Sequence, residues 1–571
     1  MSNVFRSMKR SKLKRNAFDL SHSRKFSAKF GTIYPIMCTE VIPGDTFKVD
    51  SVNLVRFAPL IAPLMHTVNV FTHFFYIPNR ILWDEWTKFI TGGERGEFVG
   101  ANSPVFPQFY DSKTNLSPNN DHVKVGSLMD FLTSFSYYGN SPSDTRLKYL
   151  PAISQLPFRA YQLIWNEWYR SQDLQDEISV PFTSGQEPYN GDVAQRIMQL
   201  RQCNWDKDYF TSALPYAQKG APVSIPMSGD VSLKDVDDRY AAPGYIKNTS
   251  GGTLNSTAGG TVSAVGTNPL PSDSALLRTT GLTWSDANQN AVYDPNGTLE
   301  VTGGSTLIND LRNAISLQRF FERNARAGSR YVEFIREHFR RRVPDSTIQR
   351  PEYLGGGMNQ VNIGEVLQTS ETRGDAPAGA DVTPQGTMAG HAVGLGKSNS
   401  FKYHFVEHGL IMGVMFVRPK LEYHDAIPRY LFKKNQFDFY FPEFAHIGEQ
   451  EIQNKELFPE LLGAATTGDL EANKSYQEAV FGYQSRNAEY KFIPSSIHGD
   501  MRKTLDFWHM NKRFLEPKLN SDFLTIAPDD PNLLRPFAVQ DGTDVLWCQV
   551  FNRVRAIRPI PFFSEPGLTR I

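Results

Sequence analysis

Two stretches of period-two alternation, lying near opposite ends of a 571-residue chain, constrain its fold more than any other feature. In the first, Val68, Val70, Thr72, Phe74 and Tyr76 alternate with Asn69, Phe71, His73 and Phe75. In the second, Leu546, Cys548, Val550 and Val554 oppose Trp547, Phe551, Arg553 and Arg555. Successive side chains of a strand point to opposite faces, so each stretch reads as a strand with one face buried deeply and the other partly. "GLIMGVMFVRP", from Gly409, reads as a further strand, and Phe437, Phe439 and Phe441, opposed by Asp438 and Tyr440, predict another. Strands from both ends of a chain, separated by long aromatic loops, predict a mainly β fold: an antiparallel sandwich such as a jelly roll.

The aromatic content fits that reading. With 40 Phe, 23 Tyr and 8 Trp beside 36 Pro and 42 Gly, the chain favours short strands and long structured loops over a helical bundle. Helices are few. "LPFRAYQLIWNEWYRSQDL" places Phe158, Tyr161, Ile164, Trp165 and Trp168 on one helical face. A second helix begins at Ile308, Leu311 and Ile315 and is broken by Gly328. Its stripe of Arg312, Arg319, Arg323, Arg326 and Arg330 reads as a solvated or salt-bridged face rather than a phosphate site. From 228 to 305 the text turns small and polar, as in "NTSGGTLNSTAGGTVSAVGTN", which predicts a variable surface insertion within a larger domain. The expected organisation is a basic arm over 1–30, a first part of the main domain over 31–227, the insertion over 228–305, and the remainder over 306–571.

Charge is balanced overall, with 60 basic and 60 acidic side chains, so bulk charge does not make the chain a polyanion binder. It is uneven locally. The first thirty residues carry Arg6, Lys9, Arg10, Lys12, Lys14, Arg15, Arg24, Lys25 and Lys29 against Asp19 alone. Such an arm can contact phosphates without reading sequence; a solvated tail and an organellar transit peptide share its composition, and the residues alone leave the three open. No apolar segment follows it, so a secretory leader is not expected. Cys38, Cys203 and Cys548 are odd in number and far apart, which suits a reducing compartment. The apolar run from Gly409 to Val417 has about half the ~20 residues a membrane-spanning helix needs, so no membrane insertion is expected.

Two catalytic lookalikes lie in "HAVGLGKSNSFKYHFVEHG". A phosphate-binding loop requires a glycine at the position of His391, and a helix rather than an alternating stretch after Gly396-Lys397-Ser398. His404, Glu407 and His408 match H-x-x-E-H, but in a strand the two histidines would stand about 13 Å apart, too far to share zinc. "DANQNAVYDPNG" begins like a calcium loop at Asp286, Asn288 and Asn290, yet Ala291 replaces its turn glycine and Gly297 its bidentate glutamate. "DVDD", Asp235 to Asp238, reads as an acidic turn. No G-x-S-x-G elbow occurs. The chain is therefore expected not to be an enzyme, with no cofactor and no catalytic or metal-binding residues.

Seven motifs, in order, carry a resemblance: "FFYIPNRILWDEWTKFITGG", "RAYQLIWNEWYRSQDLQ", "QRPEYLGGG", "FVEHGLIMG", "FPEFAHIGEQEIQNKELF", "FGYQSRNAEYKFIPSSIHGDMR" and "RPIPFFSEPGL". Together they resemble the major capsid protein of microviruses, small icosahedral single-stranded DNA phages, and especially the gokushovirus-like branch. The likeness runs from about Ser27 to Leu568 and skips 228–305, where that family carries a variable insertion. It implies an eight-stranded jelly roll with long inserted loops and a few helices, sixty copies in a T=1 shell, and a packaged circular single-stranded genome. It also implies a small basic packaging protein, other minor virion proteins, a host receptor met by the insertion, and assembly in the bacterial cytoplasm.

Within that reading, Arg6, Lys9, Arg10, Lys12, Lys14 and Arg15 are the candidate nucleic-acid contacts. A net charge of about +8 per arm gives on the order of 480 positive charges per sixty copies, against thousands of phosphates. The arm tethers a genome without neutralising it. The rival expectations are a free nucleic-acid-binding protein acting through the arm, and a zinc hydrolase using His404, Glu407 and His408.

Overall fold

The computed structural model describes residues 15–110, 121–135, 151–223, 254–257, 261–264, 308–328, 330–369, 385–459, 470–539 and 543–563. In chain order the main strands are β1 (Asn16–Asp19), β2 (His22–Ala28), β3 (Thr32–Val41), β4 (Thr46–Phe57), β5 (Val68–Pro78), β6 (Glu352–Gln360), β7 (Asn362–Leu367), β8 (Met388–Lys397), β9 (Phe401–His404), β10 (Gly409–Pro419) and β11 (Leu546–Arg558). The principal helices are α1 (Leu156–Ile164), α2 (Ile308–Ala327) and α3 (Tyr331–Phe339).

Two antiparallel sheets form the sandwich. In sheet 1, β11 lies between β1 and β2 on one side and β4 on the other; β4 pairs β8 and β9, and β8 pairs β7. Sheet 2 runs β6–β5–β10–β3, with the short strand Arg201–Gln202 added to β3. This order is consistent with a jelly roll, but the sheets hold seven and five strands rather than eight in all. Local polar bonds explain part of the surplus. At the β1–β2 break the Ser21 amide turns back to Asp19 Oδ1 at 3.0 Å, a local alternative to the ladder. At the β8–β9 break Ser398 donates its amide to Ser51 O at 2.8 Å and accepts the Ser51 amide on Oγ at 2.9 Å.

The core lies between the sheets and is largely aromatic. Phe30, Phe47, Phe57, Phe74, Phe401, Phe405 and Phe537 are buried in it. Two amides cross the apolar layer with a partner for the Nδ2 group of each: Asn53 Nδ2 donates to Thr72 Oγ1 at 3.2 Å, and Asn552 Nδ2 to Ile36 O at 2.9 Å. Gly413 leaves space for Phe74, whose ring would stand 2.7 Å from a Cβ there.

Sheet 2 is covered on its other face by chain inserted between β5 and β6. Tyr161 of α1 donates to Ile33 O at 2.7 Å, and α1 continues into a π-helical turn, Trp165–Tyr169. From that turn Trp165 Nε1 reaches Gln202 O at 2.9 Å and Trp168 Nε1 reaches Pro351 O at 3.0 Å. His73 Nδ1 lies 2.7 Å from Tyr169 Oη, and Trp168 packs on Phe75. The helical face expected from the sequence is this one.

Several expectations change. Phe437, Phe439 and Phe441 lie not in a strand but in and around the short 3₁₀ turns Gln436–Asp438 and Pro442–Phe444. All three are exposed, so the alternation there records no buried face. The basic arm was expected to reach residue 30, yet residues 16–28 are already in sheet 1. Arg24 points inward to Pro35 O and Phe131 O, and Lys29 pairs with Asp529 at 2.6 Å. Gly328, at φ +94°, separates α2 from α3 as expected. Arg326 pairs with Glu449 and Arg330 with Glu167, in keeping with a salt-bridged stripe.

The chain divides into two compact units, one of residues Met1–Gly220 with Phe321–Ile571 and one of Ala221–Phe320. In the second, the described residues form the antiparallel hairpin Leu254–Thr257/Thr261–Ala264 and the first turns of α2. The calcium-loop-like residues Asp286, Asn288 and Asn290, and the acidic run 235–238, lie outside the described residues. No described helix is long and apolar enough to cross a membrane.

Candidate functional site

The catalytic lookalikes resolve into structural roles. Gly394, Gly396 and Lys397 belong to β8, with no helix after them. A Cβ on Gly396 would stand 2.0 Å from Asn359 Cγ, so close packing between the sheets accounts for this glycine. Lys397 Nζ lies 3.6 Å from Asp50, and Ser398 is buried against Ser51. The strand bearing His404 stops there rather than running on through His408, because the chain passes from sheet 1 to sheet 2 between β9 and β10. The three residues face different partners. His404 Nδ1 lies 3.0 Å from Thr46 Oγ1, Glu407 accepts Arg80 Nε at 2.8 Å, and the His408 ring packs on Trp86. Among the described residues, no group of three or more His, Cys, Asp or Glu could hold a metal ion. Burial pushes the thiol of Cys38 up to about 11 and those of Cys203 and Cys548 up to about 12, the opposite of what a nucleophile needs.

Of the candidate nucleic-acid contacts, Arg6, Lys9, Arg10, Lys12 and Lys14 lie outside the described residues. Arg15 is exposed and immediately precedes β1, whose Asn16 is in register with Arg558 of β11. The basic run therefore enters the sandwich at the edge of sheet 1.

The outer face of sheet 1 is open, and its chemistry follows from alternation. On β11 every second residue is buried, which leaves Trp547, Gln549, Phe551, Arg553, Arg555 and Ile557 exposed. Register sets Arg56 and Ser27 on either side of Trp547, Leu54 and Lys25 beside Gln549, Val52 and Ser23 beside Phe551, and Lys48 and Asp19 beside Arg555. Beyond β4, Leu395 and Lys397 of β8 and Lys402 of β9 continue the same face. Three acids temper it: Asp19, Asp544, which accepts the Ser27 hydroxyl beside Trp547, and Asp50, whose Oδ2 lies 3.6 Å from both Lys397 and Arg553. Trp547 is 51% exposed, Phe551 40% and Leu395 70%. Sequence reading stopped at the arm and missed this face. The signal available was the odd-numbered side of 547–557, where aromatic and basic residues alternate with the core.

A second surface is aromatic. The segment 429–447 leaves Tyr430, Leu431, Phe437, Phe439, Tyr440, Phe441 and Ile447 exposed, and Tyr490, Phe492 and Ile493 are exposed beside it. The segments meet where Lys433 Nζ lies 4.1 Å from the Tyr490 ring centre and 5.4 Å from that of Phe439, with Tyr440 against Tyr490. Arg429 ties the loop to buried Glu456 at 2.9 Å, and Glu456 also accepts Tyr209 Oη at 2.9 Å. Burial raises the Glu456 carboxyl while Arg429 opposes that shift. Exposed apolar side chains gathered this way mark an interaction surface.

Known proteins match this chain along its length. The capsid protein VP1 of Chlamydia phage 1 is 33% identical over 100% of this chain and 98% of its own length. VP1 of Bdellovibrio phage phiMH2K is 31% identical over 92% of each chain, and VP1 of Spiroplasma virus 4 is 30% identical over 99% of this chain and 98% of its own. Residues 7–568 match the phage capsid protein (F protein) family, and the chain belongs to that family.

Proposed function

We propose that the chain is the major shell subunit of a small icosahedral phage, sixty copies of which close a T=1 capsid around a circular single-stranded DNA genome. The observation that carries this reading is the exposed aromatic segment 429–447 with 490–493. On a sandwich whose core is complete, these side chains bury apolar area only when another copy covers them. Charge near zero limits repulsion between copies. The role is structural, not catalytic.

The six basic residues from Arg6 to Arg15 are proposed to contact the genome. They fall far short of neutralising it, so a separate small basic protein, or polyamines and metal cations, completes the charge balance. The insertion 228–305 is proposed as a surface element that meets the host receptor, and other minor virion proteins complete the particle, which assembles in the host cytoplasm.

Electron microscopy beside a size-exclusion profile tests the shell role. Wild-type chain is expected to give uniform particles or regular pentamers. The double variant Phe437→Asp/Tyr440→Asp is expected to stay folded by circular dichroism and to remain unassembled. Normal particles from that variant would remove the aromatic segment from the interface. Purified virions lacking both a second basic protein and abundant counter-cations would overturn the charge argument.

A further inference from the structure

We infer that the outer face of sheet 1 is itself a binding site for single-stranded nucleic acid, with Trp547 and Phe551 as stacking platforms and the flanking basic side chains as phosphate contacts. The inference rests on the packaging reading for the source of the strand, and on the geometry of the face for everything else.

Three observations converge. The first is charge. Lys25, Lys48, Arg56, Lys402 and Arg555 stand exposed on one side of a single sheet, each with a place fixed by strand register. Asp19, Asp50 and, against Ser27, Asp544 share that side, but the basic residues outnumber them and Asp50 is already held between Lys397 and Arg553, so a polyanion meets a net positive surface. The second is the aromatic pair. Trp547 and Phe551 lie on the same side of one strand, about 13 Å apart at strand spacing. Both rings are substantially exposed, and Trp547 is in register with Arg56. Aromatic rings set in a basic field bind unpaired bases without sequence preference, because every base offers a π-face and every nucleotide a phosphate. The third is continuity. The basic run ending at Arg15 joins the structure one residue before β1, the strand that borders the Arg555 end of this face. A strand held by the arm is thereby delivered to the sheet.

The face is a poor match for the other common occupant, a second copy of the chain. Its exposed basic residues would each need an acidic partner on the neighbour, or would be desolvated alone. A polyanion supplies that partner at every step.

The experiment uses full-length subunit and a fluorescently labelled oligothymidylate, with anisotropy read across a salt series. A second chain lacking residues 1–14 separates the arm from the sheet. Trp547→Ala and Phe551→Ala are each expected to weaken binding roughly ten-fold in both backgrounds, and Trp547→Phe to restore most of the loss. The double variant Lys48→Gln/Arg555→Gln is expected to lower the slope of log affinity against log salt by about one or more. A duplex of the same length is expected to compete weakly, since its bases are not free to stack. The inference is overturned if the arm-deleted chain binds no oligothymidylate, if both alanine variants bind as wild type, or if the duplex competes equally. It is also overturned if Trp547→Ala spares binding but blocks particle formation, which would assign the face to a neighbouring copy. Failure of the shell reading would look different: wild type would form no particles, whatever its affinity for the oligonucleotide.

Discussion

Sheets 1 and 2 share one core but differ in what lies behind them. In sheet 2, β10 is buried along almost its whole length and β5 holds partly or fully buried residues throughout, because α1 and the Trp165–Tyr169 turn pack on the outer face. In sheet 1, β11 alternates buried and exposed from Leu546 to Ile557. The central strands of sheet 2 are scaffold on both sides; β11 of sheet 1 turns half its side chains to solvent. The difference shows where new chemistry can be written without disturbing the fold. Substitutions behind sheet 2 must be repacked, whereas those on the open face of sheet 1 leave the sandwich intact.

Unfolding measurements can break that contrast. Phe74→Ala, in the core common to both sheets, is expected to cost about 3–5 kcal/mol in denaturant titration, and it sets the scale. Trp168→Ala, which removes packing on Phe75 and Tyr353 behind sheet 2, is expected to cost about 2–3 kcal/mol, against no more than about 0.5 kcal/mol for Trp547→Ala. Equal costs for the two tryptophans would mean that the face of sheet 1 is not open.

Acid sharpens the same comparison. Burial, with Arg418 adding to it, holds His73 behind sheet 2 down to about 4, and burial beside His509 holds His66 down to about 3. Both stay neutral in the folded chain at pH values where the unfolded chain, titrating near its ordinary ~6.5, takes up protons. Stability from these residues is therefore full above about 6.5 and falls as pH drops toward about 4, by at most about 1.4 kcal/mol per pH unit for each. His73→Gln is expected to flatten the slope in a denaturation series across that window. An unchanged slope would show that this histidine is not the source. A small effect is also expected on the open face: Asp50→Asn, which releases Lys397 and Arg553, should change stability by under about 1 kcal/mol while tightening oligothymidylate binding.

Much of the sandwich was legible because alternation reports burial. Val68 to Tyr76 and Leu546 to Arg555 are strands where the pattern puts them, and the helical face from Phe158 to Trp168 packs as its spacing requires. The same rule failed at Phe437 to Phe441. Alternation with both sides in solvent looks identical on the page, and nothing local says that no sheet lies beneath. The open face was illegible for another reason. Lys25, Arg56 and Trp547 become neighbours only through the register of β2 and β4 with β11, which lies at the opposite end of the chain.

The position of β11 in sheet 1 also sets a timetable. It lies between β2 and β4, so during synthesis those two strands have no partner on their facing edges until the ribosome has released residues 546–558. Pairings this distant in sequence form slowly, and unpaired edges invite association with other nascent chains. A half-made subunit therefore lacks its closed sheet, and the cell receives nothing ready to assemble until translation has passed the strand that completes it.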